Sequence, residues 1–492
     1  MKPHRSDHLR RTVGVFFIFI TLAASLLVSG CLTRAKTPPS FSLSDADVRQ
    51  AGALALYSKG LLLESAEGSE TNGAKEAAQA AFRQAFRLDP DNRRPLSALL
   101  SNLADRQRFG EALLEVEAYL SRHPGDKELR LEAARLADAA NRPADAARHC
   151  EALLAAQPDD RPLAQALVRL LFQAGQESAA LRLMREQHDR YGDRDSAALP
   201  VQWAVHFSRE EKQPARALDC LNLAVTMRTN AAERAALLTL AGESQLALGQ
   251  TNAASATFLH AYRENPSYNI PLLRLGTIWA QTPDATNRLA RQAQSEKAPE
   301  TTLLILAATQ QALRDAPAAT ATLRSYHARR MRAGYFPDES FYLWLGGLLE
   351  EQKAADAAER LFLEALYVHP SSHEIKNFLA YMWAEKGVRL KEADRLSSET
   401  LLADPDNAAY LDTKGWILFK SGRVFDALQF LLRAAEEERE EPVILDHVGD
   451  VLLAAGRERE AIAFWTRSHQ FDPQPAVAEK LRKHGAAPEK KP

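Results

Sequence analysis

Cysteine is nearly missing: Cys31, Cys150 and Cys220 are the three in 492 residues, so no disulfide framework holds this chain together. Glycine is sparse as well, at 22 residues, and no alternating run of Val, Ile and Thr is long enough for a sheet. With apolar residues at 46%, the core must come from helices. An excess of one charge is also absent, the formal net charge being −2, and no basic stripe of the kind nucleic acid requires is present. Catalytic signatures are lacking too. No glycine-rich phosphate loop precedes Lys-Ser or Lys-Thr, and there is no Gly-x-Ser-x-Gly elbow. His373-Glu374 begins like a zinc-protease helix, but Asn377 occupies the place of the second histidine. The acidic turn after Asp404 has neither the central glycine nor the distal glutamate of a calcium loop. The 13 histidines are scattered, with His123, His369 and His469 near expected helix ends, where a cation suits the dipole. No cofactor, metal or enzymatic activity is therefore expected.

What the chain does have is a register of alanines. Ala78, Ala112, Ala146 and Ala180 stand 34 residues apart, and Ala393, Ala427 and Ala461 recover that interval after insertions. Two short helices with their turns use about 34 residues, and one such hairpin cannot bury its own apolar face. Each alanine opens a small pattern: Ala254, Phe258, Ala261 and Pro266; Ala358, Phe362, Ala365 and Pro370; more weakly Ala461, Trp465 and Pro473. A small alanine lets the second helix approach the first, and the large residue four positions on lies on the same face and fills the gap between hairpins. Proline then ends the helix. With Tyr342, Leu345, Gly346 and Leu349 preceding Ala358, the pattern resembles the tetratricopeptide repeat. That resemblance implies an all-α fold, a right-handed superhelical solenoid of about twelve helix-turn-helix repeats between Asp45 and His484. Ala217 and Ala319 mark recognisable but offset hairpins. Cys150 takes the place of Phe258, and Cys220 lies beside the equivalent Leu221, so both thiols read as small buried hydrophobes.

At the start of the chain Lys2, Arg5, Arg10 and Arg11 precede an apolar stretch from Val13 to Val28 that is short for a spanning helix and reads as an export signal. It ends in Val28-Ser29-Gly30-Cys31, which resembles the lipobox of bacterial lipoproteins. The resemblance implies cleavage before Cys31, whose thiol forms a thioether to diacylglycerol and whose freed amine is acylated. Each buried methylene contributes about 0.8 kcal/mol, so a multi-chain anchor holds permanently. Leu32 in place of Asp favours, by the same resemblance, the periplasmic face of the outer membrane. The competing readings of the leader are an uncleaved signal anchor and a soluble secreted protein.

The expected organisation is a signal peptide at 1–30, a lipidated cysteine and tether at 31–44, an N-terminal array at 45–266, irregular or degenerate repeats at 267–337, a C-terminal array with a capping helix at 338–484, and a tail at 485–492. In arrays that resemble this one the first helix of each hairpin lines the concave face. Placing the last three hairpins in register aligns Asn377, Asp412 and Asp446, and four residues further on Tyr381, Trp416 and Asp450. Four residues is about one turn, so each pair points the same way and a groove floor of aromatic and acidic groups is expected. It would clamp an extended peptide, with carboxylates and amide meeting backbone and basic side chains while Tyr381 and Trp416 give apolar contact. The alternative is that both aromatics pack against adjacent helices and the acids keep the face soluble.

Roughly residues 373 to 473 resemble a C-terminal block of bacterial repeat proteins, with Lys414 standing where that block generally has an apolar residue, which predicts looser packing there. The surface lacks the Lys and Arg pattern of a chaperone-tail clamp. Equivalent positions upstream, such as Ser97 and Ser101 or Thr239 and Glu243, look weak, so the first half is expected to extend and position. The expected function is a lipid-anchored scaffold of the bacterial envelope that binds proteins or peptides and no nucleic acid. The resemblance implies a place in outer-membrane, pilus or polysaccharide-export assembly, where lipoproteins with such repeats commonly serve. Rival readings are a chaperone-like holder of many clients and an envelope enzyme whose active site no motif reveals. The sequence leaves the oligomeric state open.

Overall fold

The computed structural model describes residues 43–65, 72–282, 284–295 and 297–485. The export signal, Cys31, all but the end of the tether, and the tail after Gly485 lie outside the described residues. Among the described residues the chain forms 25 helices and no strand. It divides into two compact units between Ala174 and Gly175.

The first unit holds α1 (Asp45–Ser65), α2 (Asn72–Leu88), α3 (Arg93–Asp105), α4 (Phe109–Leu120), α5 (Lys127–Ala139), α6 (Pro143–Ala156) and α7 (Arg161–Gln173). The second begins with α8 (Glu177–Tyr191), α9 (Arg194–Arg209), α10 (Pro214–Thr226), α11 (Ala231–Ala247), α12 (Thr251–Glu264) and α13 (Ile270–Ala280). It continues through α14 (Ala285–Ala293), α15 (Glu300–Ala312), α16 (Ala316–Arg332), α17 (Glu339–Glu351), α18 (Ala355–Val368) and α19 (His373–Lys386). Its last helices are α20 (Leu390–Ala403), α21 (Ala408–Lys420), α22 (Val424–Glu437), α23 (Pro442–Ala454), α24 (Glu458–Phe471) and the short α25 (Pro475–Lys483). Within each unit successive helices pack together, and short connections make such neighbours antiparallel.

Side chains start the helices where the sequence places Asx and Ser residues. Asn92, Asp126, Asp160, Asn230, Ser372 and Asn407 each accept a hydrogen bond from a backbone N–H in the first turn that follows. Other turns need a left-handed residue, as at Gln107 and Asn141, both with φ 56°, and at Gly422 and Gly456, both with φ 79°. Each of these two pairs is spaced 34 residues apart whether or not glycine is present, so the packed helices impose the turn on the residue.

The alanines of the register sit at the tightest points of the core: Ala78, Ala112, Ala146, Ala180, Ala217, Ala254, Ala319, Ala358, Ala393, Ala427 and Ala461 are all 0% exposed. Opposite several of them the preceding helix carries a glycine. A Cβ built at Gly242 would lie 2.5 Å from the Phe258 ring, at Gly346 2.2 Å from Phe362, at Gly415 2.6 Å from Leu431, and at Gly449 2.4 Å from Trp465. The large residue of the second helix therefore lies in a notch that only glycine leaves open. Cys150 and Cys220 are buried in the same core, and burial pushes their thiols up to about 11 and about 12, so both stay protonated. Within the stretch 267–337, α15 packs on α13 so closely that a Cβ at Gly276 would fall 2.4 Å from the backbone carbon of Ala308.

Lys414 does not loosen its hairpin. Its Nζ reaches Asp394 Oδ1 at 2.7 Å and Ser398 Oγ at 2.8 Å, so a charged bridge to α20 takes the place of an apolar contact.

Two adjacent glycines in α17 separate the notch from helix propensity. Gly346→Ala forces the Phe362 ring out of its seat and is expected to lower stability by about 1–3 kcal/mol. Gly347 has nothing within 4 Å of its Cβ position, so Gly347→Ala is expected to raise stability by about 0.5–1 kcal/mol. Urea midpoints of the two variants should move in opposite directions; a shared direction would show that the notch does not govern the packing.

A candidate partner-binding pocket

Asn377 and Tyr381 lie on α19, Asp412 and Trp416 on α21, and Asp446 and Asp450 on α23. The structure distributes these six residues differently from the open groove floor expected. Asn377, Tyr381 and Asp412 line one cavity of about 730 Å³, together with Phe378, Thr413, Val443 and Ile444. Trp416 does not reach the surface: it is 5% exposed, its ring is stacked at 3.9 Å on His447, and its Nε1 donates to Glu385. Asp446 and Asp450 are both taken by Lys480 of α25, whose Nζ lies 2.7 Å from an Asp446 oxygen and 2.8 Å from an Asp450 oxygen. Trp465 Nε1 also donates to Asp450 at 3.1 Å.

The reason is a set of counter-groups that the alignment of equivalent positions does not reveal. His447 Nδ1 sits 2.9 and 3.0 Å from the two Asp412 oxygens, and both side chains are nearly sealed, each residue being 6% exposed. Burial opposes charge on His447, but the carboxylates of Asp412, then Asp446 and Glu385, outweigh it and hold the imidazole above its usual range. Burial likewise pushes the Asp446 carboxyl up, with Lys480 opposing, and pushes the Tyr381 phenol up with the help of Glu385 and Asp412. His447 and Lys480 were the residues missed by sequence reasoning. Their signal was an interval: His447 follows Asp412 by 35 residues and Lys480 follows Asp446 by 34, each about one hairpin on.

What remains open is the mouth of the cavity. Glu437, Glu438 and Glu441 lie on its rim and have no cationic partner among the described residues, whereas Asp406 beside them is bridged by Arg433 at 2.8 Å. The buried Oδ1 of Asn377 has no hydrogen-bond partner. An amide end without a partner beside a half-buried tyrosine, apolar walls and free carboxylates suits a cationic group carried on an apolar stem. Among the described residues no group of three or more His, Cys, Asp or Glu is placed to hold a metal ion.

Among the described residues the class is an all-helical array of packed hairpins, with an open pocket on its second unit. Comparison with known proteins gives the repeat type. Tetratricopeptide repeat families match residues 103–171 and 69–92, both in the first unit. TPR repeat-containing protein MJ1428 of Methanocaldococcus jannaschii is 26% identical over 155 residues, covering 30% of this chain and 24% of that protein. The chain thus spans about a quarter of that relative's length. Among solved structures, Naa15/Naa10 bound to HypK-THB is similar over 88% of this chain and 65% of its own, at 16% identity and TM-score 0.33. Yeast Tom70 is similar over 88% of this chain and 94% of its own, at 15% identity and TM-score 0.34.

The buried pair makes stability depend on pH. A folded-state pKa raised above the unfolded value near 6.5 contributes stability that is fully present below about pH 6.5 and is lost as pH rises through the folded value. His447→Gln is expected to cost about 3 kcal/mol at pH 6, from the Asp412 charge left unpaired, and progressively less toward pH 9. Melting temperatures across that range check it: the gap between wild type and variant should narrow as pH rises, and a constant gap would mean that His447 is neutral when folded.

Proposed function

We propose that this chain is a membrane-anchored interaction scaffold of the bacterial cell envelope, lipidated at Cys31, which holds a partner protein by a basic and apolar segment seated in the cavity between α19, α21 and α23. The cavity carries the reading: three unpaired carboxylates at its mouth, the half-buried Tyr381 and the unsatisfied Asn377 amide form a set that complements a Lys or Arg side chain in an extended peptide. In this arrangement Tyr381 and Asn377 touch the partner, Asp412 fixes the floor through His447, and Trp416, Asp446 and Asp450 support the walls from beneath. The anchor rests on the sequence around Cys31. Placement on the periplasmic face of the outer membrane rests on Leu32.

Two experiments test the two halves separately. Radioactive palmitate should label the wild type and leave Cys31→Ser unlabelled; equal labelling removes the anchor and leaves the pocket untouched. For the pocket, the main partner is first identified by crosslinking in intact cells, and its affinity is then measured for Tyr381→Ala and Glu438→Lys. Each is expected to weaken binding about tenfold or more with helicity unchanged, and unchanged affinity in both would place the interface elsewhere.

A further inference from the structure

A second cavity, of about 580 Å³, opens between α9, α10 and α11, away from every residue of the pocket described above. Small side chains create it: Ala204 on α9 and Ser244 and Ala247 on α11 leave space above Leu221, which is 2% exposed. Val205 and Leu240 form its walls and stay 41% and 47% exposed, so the cavity is open along one side. Both leave apolar surface in water that a bound apolar side chain would cover.

Arg209 and Lys212 also line the cavity, and neither has a side-chain partner among the described residues. Neighbouring acids are already occupied. Glu210 lies 2.8 Å from His206, Glu211 lies 2.9 Å from His206 and 3.3 Å from Arg216, and Glu243, which itself lines the cavity, lies 2.6 Å from Arg274. The mouth is therefore cationic, opposite in sign to the cavity between α19, α21 and α23. A position at the end of α9 suits Arg209 through the helix dipole, but the dipole does not account for Lys212 in the following turn or for the exposed apolar walls.

We propose that this cavity is a second docking site, one that takes a segment of a partner polypeptide in which an aliphatic or aromatic residue is flanked by carboxylates. The apolar residue seats between Val205 and Leu240, and its acidic neighbours pair with Arg209 and Lys212. The open side argues for a peptide over a free fatty acid, because small-molecule sites enclose most of their ligand. The array then carries two sites in its second unit with opposite preferences, and this one stands independently of the acidic cavity.

The test is selection of short random peptides displayed on phage against the full chain in detergent, in parallel with four variants. Wild type is expected to enrich a class with Leu or Phe flanked by Asp or Glu. Leu240→Glu and Val205→Glu, both at exposed positions and checked for unchanged helicity, should lose that class about tenfold or more. The charge reversal of Arg209→Glu with Lys212→Glu should exchange it for a class rich in Lys and Arg. Tyr381→Ala should retain it, which separates this site from the acidic one. The proposal is overturned by selected peptides indifferent to the α9 and α11 variants, by loss of the acidic class in Tyr381→Ala, or by stoichiometric displacement of the peptides by oleate.

Discussion

Everything in this molecule depends on how closely two helices approach where a large side chain crosses a glycine. The Phe362 ring occupies the space a Cβ of Gly346 would need, and Ala358, one turn before it, has no exposed surface. Glycine inside a helix costs about 1 kcal/mol relative to alanine. Burying a phenylalanine offsets that with about 1.5–3 kcal/mol, provided that the backbones come close enough to seal it. The same exchange recurs at Gly242 with Phe258 and at Gly449 with Trp465, so one steric fit is used again in several hairpins. Since the fit is a matter of size, outward-facing positions remain free to vary in charge.

That freedom explains the chemistry of the last hairpins. Asp412 on a first helix is tolerated in a sealed position because His447 from the next first helix supplies the opposite charge. Asp446 and Asp450 are met by Lys480 of α25, which lies 5.8 Å from the centre of the Trp465 ring as well. One lysine on α25 thus neutralises two acids of α23. The carboxylates left over, at Glu437, Glu438 and Glu441, lie at the end of α22 and in the turn before α23 and have no cationic partner among the described residues.

The helices and their core were legible because period and side-chain size are one-dimensional signals: eleven alanines counted along the chain are eleven buried alanines in space. The site was only half legible. Comparing equivalent positions picked out Asp412, Asp446, Trp416 and Asp450, but not what each one meets. Trp416 meets Glu385 and His447, and Asp446 meets Lys480. Lys414 shows the same limit, since a lysine in an apolar position predicts a defect until Asp394, twenty residues away, is seen to receive it. The cavity between α9 and α11 left no mark in the register, being made of what is small, at Ala204, Ser244 and Ala247, and not of a recurring residue.

A partner that engaged both proposed cavities would be constrained by their opposite charges more than by either alone. An extended chain bound at a single apolar cavity can run in either direction with similar contacts, because the apolar term has no sign. A cationic mouth at α9–α11 and an anionic one at α19–α23 would remove that degeneracy for a chain spanning both: reversing it would set carboxylates against Glu437 and Glu438 and lysines against Arg209, a repulsion on top of the lost attraction. Affinity would still come from the apolar side chains buried at Tyr381 and Leu240, while the charges choose the direction. A partner with its acidic and basic segments in the wrong order would meet the same surface area and bind poorly, so selectivity in such an array follows from the order of charges along the partner.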